Sequence, residues 1–434
     1  MKKMKFMALA LMAGALSLGF TSCRDDNGDD GGKDNNGTVM KAIVDNYVDN
    51  IVEPTYKELA ENTQTLYDAC QNLYKKRAAG TLTQADIDAA CQAFKNARRH
   101  WEQSEAFLYG AASDNEIDPH IDSWPLDHDQ LEKALNNATV IAGIKSDNSA
   151  KFIYDNNGKF DSVLGFHGLE FVLFRNGANR TLAAFTAEKE TEEGLTSVNT
   201  LDEAAFAAAV SGDLRNMTFL LEYGWLGDSA NASHIAQIKN NASWVISGTR
   251  YAGLSSAGIA YGAYVKGVAN GKGMFSTWHE TLQNIFIGGC SNICQEVYTQ
   301  KLGQAYRVAT GTGTSEDASD YIESPYSKRS FQDYQDNIYS IKNSLYGVRG
   351  TETVNTPANN SLMAFLKNKK YPQYDALNNA LNEAIAALET AKKSGKAFID
   401  APGDAQVKNC IDKVQALDDA LSAAGTWVNK LADE

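Results

Sequence analysis

The sequence predicts an all-α protein made of two helical domains, each resembling a four-helix bundle. Beyond residue 37, most segments carry apolar residues at the spacing of a helix that is buried on one face. No convincing run of alternating apolar and polar residues indicates a β-sheet. With 434 residues, 43% of them hydrophobic, the chain is long enough to form two domains with ample cores.

Residues 1–23 predict a lipoprotein signal peptide. Three lysines precede an apolar run, from about Phe6 to Phe20, that is too short to span a bilayer comfortably. The run ends in FTSC, which resembles a bacterial lipobox, so Cys23 is the expected first mature residue and lipid attachment site. An ordinary secretory cleavage beside an incidental cysteine is the alternative.

Residues 24–37 predict a flexible tether, because RDDNGDDGGKDNNG contains no apolar side chain to bury. The lipobox resemblance implies a Gram-negative envelope lipoprotein that is anchored to the outer membrane through the lipid on Cys23. The acidic run after this cysteine resembles surface-export signals in some of these bacteria. A periplasm-facing and a surface-exposed orientation both remain open.

The charge balance argues against a nucleic-acid partner. Acidic residues number 54 against 40 lysines and arginines, and a formal net charge of −14 repels a phosphate backbone. The same acidity is compatible with cation binding, although a solvated acidic surface is its commoner meaning.

The first helical domain is expected over residues 38–200. A turn is predicted at 79–83, and 176–199 is expected to be a surface connection. Pro54 is expected to kink or break the first helix, because proline lacks a backbone donor and clashes with the preceding turn. The predicted helices span 39–76, 84–110, 127–137 and 160–174.

The second helical domain is expected over residues 201–434. The glycine-containing segments 260–273 and 308–320 are expected to be loops or lids. A weak similarity between the segments that begin at His167 and Tyr339 is compatible with internal duplication. The predicted helices span 201–223, 232–247, 277–301, 330–346, 374–393 and 404–431.

The five cysteines after Cys23 leave at least one unpaired in an oxidising compartment. Cys70 and Cys91 are symmetric about the predicted turn of a helical hairpin, where a disulfide and two buried thiols fit equally well. Cys290 and Cys294 have no flanking cysteine or histidine to complete a zinc site, so they are expected to be core residues.

His167 and Glu170 are the first candidates for chemistry. They stand three residues apart in GFHGLEFVLF, so they share one face of a helix whose other residues are mostly apolar. A carboxylate in such surroundings must be paired, hydrogen-bonded or bound to a cation. The sequence leaves two interpretations open: a pair of metal ligands, or a buried hydrogen-bonded pair.

Two side chains do not hold a metal, so further ligands must come from other segments. Glu102 and Glu105 in WEQSEAF are again three residues apart on a predicted helix, and Asp127 or His128 follows SWPL. For Glu102 and Glu105 the sequence favours a solvated helix face over ligation. Glu105 and Asp127 are the expected helpers of the histidine and glutamate pair.

A G-x-H-x-x-E motif formed by Gly165, His167 and Glu170 resembles the signature of the imelysin-like family. WEQSEAFLYG and DPHIDSWPLD resemble segments upstream of this motif in the family, and the segment that begins YIESPYSKRS resembles a downstream helix. The resemblance covers roughly residues 40–430. It implies two four-helix-bundle domains, an envelope location, an association with iron acquisition, and a functional site near the junction of the bundles.

The leading hypothesis is a lipid-anchored protein that binds a metal ion, iron in the first place, or an iron-bearing ligand. Carboxylate oxygens with one imidazole suit iron or manganese better than a thiolate-preferring metal, and zinc or no metal are the alternatives. Other envelope proteins of iron uptake are possible partners. The expected ligands are His167, Glu170, Glu105 and Asp127, and the expected lining residues are Gly165, Glu102, Trp101, Trp124 and Ser104.

A metallopeptidase at the same site is the second hypothesis, since the family takes its name from an insulin-cleaving metalloprotease. Zinc peptidases of known spacing use H-E-x-x-H or H-x-x-E-H. Phe171 stands where the second histidine of the inverted motif would be, so the sequence favours a binding protein. A purely structural or adhesive envelope protein is the third hypothesis. Gly165 and Gly168 are expected to let another backbone approach closely.

Overall fold

The computed structural model describes residues 36–431, with the exception of 161, 192–194, 196, 242–243 and 248–249. The predicted signal peptide, the predicted lipidation site Cys23 and the tether up to residue 35 lie outside the described residues. Helix α1 (Asn36–Tyr47) already includes the last two residues of the predicted tether.

The protein is all-α, as the sequence predicts. In the described residues, β structure is confined to two short antiparallel hairpins. Phe174 pairs with Asn179 in the first hairpin, and the register of the second is irregular. The strands are β1 (Phe174–Arg175), β2 (Ala178–Asn179), β3 (Val245–Ser247) and β4 (Arg250–Tyr251).

Ten helices precede residue 200 in the described part of the chain, and ten follow. After α1, the first half contains α2 (Glu53–Ala79), α3 (Gln84–Glu102), α4 (Ala111–Asp114), α5 (Ile117–Ile121), α6 (His128–Leu135), α7 (Ala138–Ile144), α8 (Ser149–Asp155), α9 (Gly165–Leu173) and α10 (Leu182–Thr186). The second half contains α11 (Thr200–Leu226), α12 (Ala232–Lys239), α13 (Tyr261–Val265), α14 (Trp278–Asn284), α15 (Asn292–Glu296), α16 (Gly303–Ala309), α17 (Ser330–Tyr346), α18 (Leu362–Asn368), α19 (Tyr374–Lys393) and α20 (Ala405–Asn429).

The predicted hairpin of α2 and α3 has clear local causes. Gly80 ends α2 in the left-handed conformation, with a φ of +69°, which glycine adopts without steric cost. Thr83 and Asp86 then form a capping box at the start of α3, so the first backbone donors of the helix are satisfied. Cys70 and Cys91 of this hairpin are buried free thiols, which decides between the two arrangements that the sequence allowed.

Pro54 does not interrupt α2, because it lies within the first two residues of that helix. The backbone is right-handed helical on both sides of Pro54, so the helix continues through it although the proline has no N–H to donate. The irregularity lies just before it, where a π-helical segment (Val48–Val52) joins α1 to α2. Two further π-helical segments, Ile285–Ser291 and Val297–Lys301, connect α14, α15 and α16.

The helices form two groups by their contacts. α2, α3, α9 and α11 pack together as a first group, and α11 has its most extensive contacts with α2. The predicted boundary at residue 200 therefore separates α11 from its own packing partners, because sequence periodicity shows a helix but not its neighbour. α17, α19, α20 and the α14–α16 segment form the second group, and α3 packs against α17 to join the two.

Some predicted segments fold differently from expectation. The helix expected over 160–174 begins only at Gly165, and the one expected over 232–247 ends at Lys239 and gives way to β3. Part of the glycine-rich segment 260–273 is helical, since it contains α13 followed by a 3-10 turn. None of the helices in the described residues combines the length and the apolar character required to cross a membrane.

Gly165 lets the start of α9 lie directly against the end of α5. Its φ is +60°, and a Cβ there would be 1.8 Å from the carbonyl oxygen of Ile121. A Cβ on Gly168 would be 2.1 Å from the carbonyl oxygen of Val163. The close backbone approach expected at both glycines is confirmed. Because Ile121 precedes Asp122, the contact at Gly165 also sets where Asp122 lies relative to α9.

We expect Gly165→Ala to destabilise the protein clearly more than Gly80→Ala. The φ values of the two glycines are similar, but nothing in the described residues lies within 4 Å of a Cβ at Gly80. The control therefore isolates the left-handed backbone penalty of about 1–2 kcal/mol. Gly165→Ala adds the overlap with Ile121, which costs about 1–3 kcal/mol more. Urea unfolding followed by circular dichroism measures both losses, and equal losses would contradict this account.

Candidate metal centre

A buried polar centre lies where α3 and α9 meet the segment that leads into α17. Its members come from both helical groups, and all of them are buried. The first group contributes Arg98 and Glu102 on α3, Glu105 in the 3-10 turn that follows, Asp122 after α5, and His167 and Glu170 on α9. The second contributes Lys301, Glu323 and Asp333.

His167 directs a ring nitrogen toward Asp122. Its Nε2 atom lies 3.0 Å from Oδ1 of Asp122, which is an ion-pair distance. The other oxygen of Asp122 accepts a hydrogen bond of 2.8 Å from Nε1 of Trp101. In the described part of the chain, Nε2 of His167 has no hydrogen-bond partner. A buried polar atom in this state calls for a ligand or another explanation.

Arg98 is the central cation of the site. Its guanidinium donates to Asp122 and to Glu323, and it lies 2.5 Å from Oε1 of Glu102. Its Nε atom is 3.7 Å from Oδ2 of Asp333. Burial alone would lower the pKa of Arg98, but the surrounding carboxylates outweigh that effect and hold the pKa well above its usual value. The positive charge of Arg98 is therefore permanent.

Glu170 ties α9 to the segment that precedes α17. Its Oε1 atom accepts hydrogen bonds from the backbone N–H and the hydroxyl of Ser327, both at 2.7 Å. Its Oε2 atom is 3.7 Å from Nδ1 of His167, which is too far for a hydrogen bond, and no described residue donates to it. His167 and Glu170 thus share a buried face as predicted, but they are not hydrogen-bonded to each other.

Glu102 and Glu105 are both buried, which corrects the expectation of a solvated helix face. Glu102 is fully buried, and its Oε2 atom accepts a hydrogen bond of 2.6 Å from Nδ2 of Asn337 on α17. Glu105 is 6% exposed and begins a 3-10 turn instead of continuing α3. The sequence could not show this, because both residues are covered by elements more than 150 positions away in the chain.

The polar centre holds more carboxyl groups than cations. Two fully buried cations, Arg98 and Lys301, are surrounded by six buried carboxyl groups, and the partly exposed Arg329 lies 3.6 Å from one of them, Asp333. These belong to Glu102, Glu105, Asp122, Glu170, Glu323 and Asp333.

This surplus of acid groups shifts individual pKa values in opposite directions. Burial raises the pKa of Glu102 and Glu105 well above its usual value. At Asp122, Arg98 and His167 outweigh the effect of burial and hold the pKa well below its usual range. A buried surplus of negative charge is costly unless protons or an added cation compensate it.

Two sets of three side chains in the described residues bring possible ligand atoms within 4.8 Å of one another. The first set is Asp122, His167 and Glu323, and the second is Glu102, Glu105 and Asp122. Asp122 belongs to both sets, so the two share one oxygen-bearing side chain. Of the four expected ligands, His167 and Glu105 belong to these sets, and Glu170 lies beside the first.

The structure does not bring Asp127 into the polar centre. Its side chain is exposed and caps α6, where it accepts a hydrogen bond of 2.9 Å from the backbone N–H of Gln130. An aspartate at this position satisfies a donor that the helix itself leaves unpaired. Asp122, which lies earlier in the same quoted segment, faces His167 in its place.

The expected lining residues surround the centre in different ways. Trp101 is fully buried and orients Asp122, and Ser104 donates a hydrogen bond of 2.6 Å to the carbonyl oxygen of Trp101. Trp124 is partly exposed, with its ring centroid 6.3 Å from that of His167 and 4.1 Å from that of Tyr321. Tyr321 is also partly exposed, so these two rings form an outer wall of the centre.

Sequence reasoning missed five of the nine residues of the centre, one of which is Asp333 on α17. Asp122 and Glu323 lie inside the quoted segments DPHIDSWPLD and YIESPYSKRS, and the aspartates at i−4 and i−3, Asp118 and Asp320, were a usable signal for them. Arg98 stands four residues before Glu102 on α3, and that helical spacing was a usable signal. Lys301 looked like an ordinary basic residue at a helix end.

The donor set fits a hard metal cation. Carboxylate oxygens with one imidazole nitrogen suit iron or manganese. Besides Nε2 of His167, several buried carboxylate oxygens of the centre make no hydrogen bond to the described residues, among them Oε1 of Glu102, Oε2 of Glu170 and Oε2 of Glu323. Of these, Oε1 of Glu102 is ion-paired with Arg98, and Oε2 of Glu323 is ion-paired with Lys301. Each set contains at most one histidine. This differs from the two histidines that the zinc peptidase motifs supply.

The fold and the centre define an all-helical protein with a carboxylate and histidine site between two helical groups. The family model described as imelysin, peptidase family M75, matches residues 52–423. The chain belongs to the imelysin family.

Relatives with an iron-related name are among the similar proteins. Iron-regulated protein A of Synechococcus elongatus is 30% identical over 136 residues, which make up 31% of this chain and 32% of that protein. The alignment thus spans about a third of the relative's length. A crystal structure from Parabacteroides distasonis, of a protein provisionally named an iron-regulated protein A precursor, has a TM-score of 0.62 and 25% identity. That comparison covers 90% of this chain and 95% of the other.

A more distant neighbour supports the fold alone. It is an imelysin-like protein from Psychrobacter arcticum, with a TM-score of 0.53 and 14% identity, and it covers 88% of this chain and 93% of its own.

We expect Arg98→Met to lower the free energy of unfolding by about 3–5 kcal/mol, because it leaves buried carboxylates without their cation. Arg99→Met is the matched control. Arg99 is the next residue, its side chain is 48% exposed, and its ion pair with Glu352 lies near the surface. Such pairs contribute about 0–1 kcal/mol. Urea unfolding of both variants measures the difference, and similar losses would show that Arg98 is not the organising charge.

Proposed function

We propose that this protein binds a metal ion, iron in the first place, in the polar centre between its two helical groups. One observation carries the proposal. Nε2 of His167, which has no hydrogen-bond partner among the described residues, converges with carboxylate oxygens of Asp122 and Glu323 within 4.8 Å. Six buried carboxyl groups around two cations provide the negative charge that a metal ion would neutralise.

Some residues of the centre would bind the metal directly, and others would orient these ligands. His167, Asp122 and Glu323 are the proposed ligands, with Glu102 and Glu105 on the other side of Asp122. Trp101 would hold Asp122 in place through its indole N–H. Ser327 would do the same for Glu170 through two hydrogen bonds. Partners of this kind fix the direction of metal-binding side chains and strengthen binding.

The proposal extends to the place of the protein in the cell. We infer that it is a lipoprotein attached through Cys23 to the outer membrane, on its periplasmic or its surface side, and that it takes part in iron uptake. The lipobox-like FTSC supports the anchor. The similarity to proteins named iron-regulated protein A supports the cargo, which is iron or an iron-bearing ligand. Other envelope proteins of iron uptake would exchange that cargo with it.

We expect ferrous iron, added without oxygen to the metal-free protein, to bind in isothermal titration calorimetry. His167→Ala and Asp122→Asn should each weaken binding at least about tenfold, or about 1.4 kcal/mol. The reason is that each change removes one donor of the proposed set. Elemental analysis of the dialysed complexes gives the stoichiometry independently.

His234→Ala serves as the control for this titration. His234 is another buried histidine paired with a carboxylate, since its Nδ1 atom is 2.5 Å from Oε2 of Glu222, but it lies outside the polar centre. Iron affinity should be unchanged in this variant. The proposal is wrong if the wild-type protein takes up no metal, or if His167→Ala binds iron as tightly as the wild type.

A peptidase function has no specific observation in its favour beyond the family's name. We expect no cleavage of an unfolded polypeptide by the iron- or zinc-loaded protein, because neither set of ligand atoms contains a second histidine. Mass spectrometry of the incubated substrate measures this. Cleavage that is lost both with a chelator and in the Glu170→Gln variant would instead identify a metallopeptidase.

A further inference from the structure

Lys301 is the more loosely held of the two cations in the polar centre. Its Nζ atom lies 3.2 Å and 3.5 Å from the two oxygens of Glu323. The next carboxylate oxygen among the described residues is Oε1 of Glu296, at 3.8 Å. A buried ammonium group has three donors and forms its strong hydrogen bonds at about 2.7–2.9 Å. Lys301 makes none of that length, whereas Arg98 lies close to three carboxylates.

The backbone places Lys301 and Glu296 beside each other. They are five residues apart, at the two ends of the π-helical segment Val297–Lys301. Residues with that spacing lie on different faces of an α-helix, but the wider π turn, which closes hydrogen bonds from i to i+5, brings them together. The π segment therefore gives Lys301 a carboxylate neighbour on its own helix.

Glu296 lies nearer to solvent than Glu323 does. The side chain of Glu296 is 41% exposed, and that of Glu323 is fully buried. Lys301 itself is only 1% exposed. Its ammonium group thus has an inner carboxylate at 3.2 Å and an outer one at 3.8 Å, with a flexible four-carbon stem to move between them.

We propose that Lys301 is a displaceable counter-cation, which leaves Glu323 for Glu296 when a metal ion enters the polar centre. This inference rests on the proposed function. Glu323 belongs to the proposed ligand set, and its Oε2 atom is the one closest to Lys301. A metal ion and an ammonium group on the same oxygen repel each other strongly in a poorly solvated site. Arg98 cannot be displaced in the same way, because it forms ion pairs with four carboxylates.

The arrangement makes Lys301 a determinant of specificity. An incoming ion must compete with a unit positive charge already in the site. A multivalent cation interacts with the carboxylates more strongly than the ammonium group does, and a monovalent ion does not. The site would therefore accept iron or manganese and reject sodium and potassium.

The test is calorimetric titration with Mn²⁺, which resists oxidation, and with Fe²⁺ under argon. We expect Lys301→Met, which keeps the length of the side chain, to bind Mn²⁺ at least about tenfold more tightly than the wild type. Glu296→Gln should weaken binding about threefold or more, because Lys301 loses its outer partner. Adding Glu296→Gln to Lys301→Met should change Mn²⁺ affinity by less than about twofold relative to Lys301→Met alone, because Glu296 acts through Lys301.

Glu383→Gln controls for the loss of a carboxylate charge. Glu383 is 56% exposed on α19 and pairs with Lys413, so its removal should leave Mn²⁺ affinity unchanged. Circular dichroism checks that each variant is folded. If Lys301→Met does not fold, the comparison of Mn²⁺ affinity between Glu296→Gln and Glu383→Gln still tests the inference.

Two results would overturn the inference. The first is a Lys301→Met variant that binds Mn²⁺ no more tightly than the wild type. The second is a Glu296→Gln variant that behaves like Glu383→Gln, or that weakens binding equally with and without Lys301. Absence of Mn²⁺ and Fe²⁺ binding by the wild type would instead refute the proposed function, and the inference with it.

Discussion

The burial of the Arg98 guanidinium among carboxylates from four parts of the chain is the constraint on which the rest of the structure depends. Glu102 lies on the same helix, Asp122 follows α5, and Glu323 and Asp333 belong to the second helical group. A guanidinium has five donors in a rigid plane, so it can bind several carboxylates in fixed directions. The interaction therefore joins the two groups of helices and orients the acids at the same time. Because desolvation is costly, a buried ion pair is weak evidence for stability. The contribution of Arg98 here is that it fixes the positions of the carboxylates.

Features of the fold could be predicted from the sequence where their cause lies in residues that are close together in the chain. The bounds of α17 and α19 are those expected from the sequence. α19 has one continuous buried face, whereas α17 is buried on nearly its whole circumference. The burial of His167 and Glu170 followed in the same way, from a helix apolar nearly all round. The pairing of α11 with α2 did not, because periodicity shows that a face is buried without showing what covers it.

The centre was harder to predict for the same reason. Glu102 and Glu105 read as a solvated pair because their cover, α17, is remote in sequence. Asp127 and Asp122 are chemically equal in the sequence. The contact of Gly165 with Ile121, together with Arg98 and Trp101, places Asp122 against His167. The sequence thus indicated the residues that position the side chains of a site less clearly than the side chains themselves. A glycine in a motif is informative here because it marks where two backbones touch.

A second buried ion cluster in the same protein shows why the polar centre is more than a structural network. Arg180 lies 2.5 Å from Glu190 and 3.0 Å from Glu203, and Arg175 lies 2.8 Å from Glu190. Among the described residues, two cations meet two carboxylates there, so their charges balance. The polar centre has six buried carboxyl groups around Arg98 and Lys301, with Arg329 3.6 Å from Asp333 at its edge, so acid groups outnumber arginines and lysines among the described residues. Both clusters connect segments that are distant in the chain. A structural connection alone requires only equal numbers of cations and carboxylates. The surplus of carboxyl groups, together with a histidine nitrogen that lies beside a carboxylate oxygen without a hydrogen bond to any described residue, is what a cation site needs and a structural ion cluster does not.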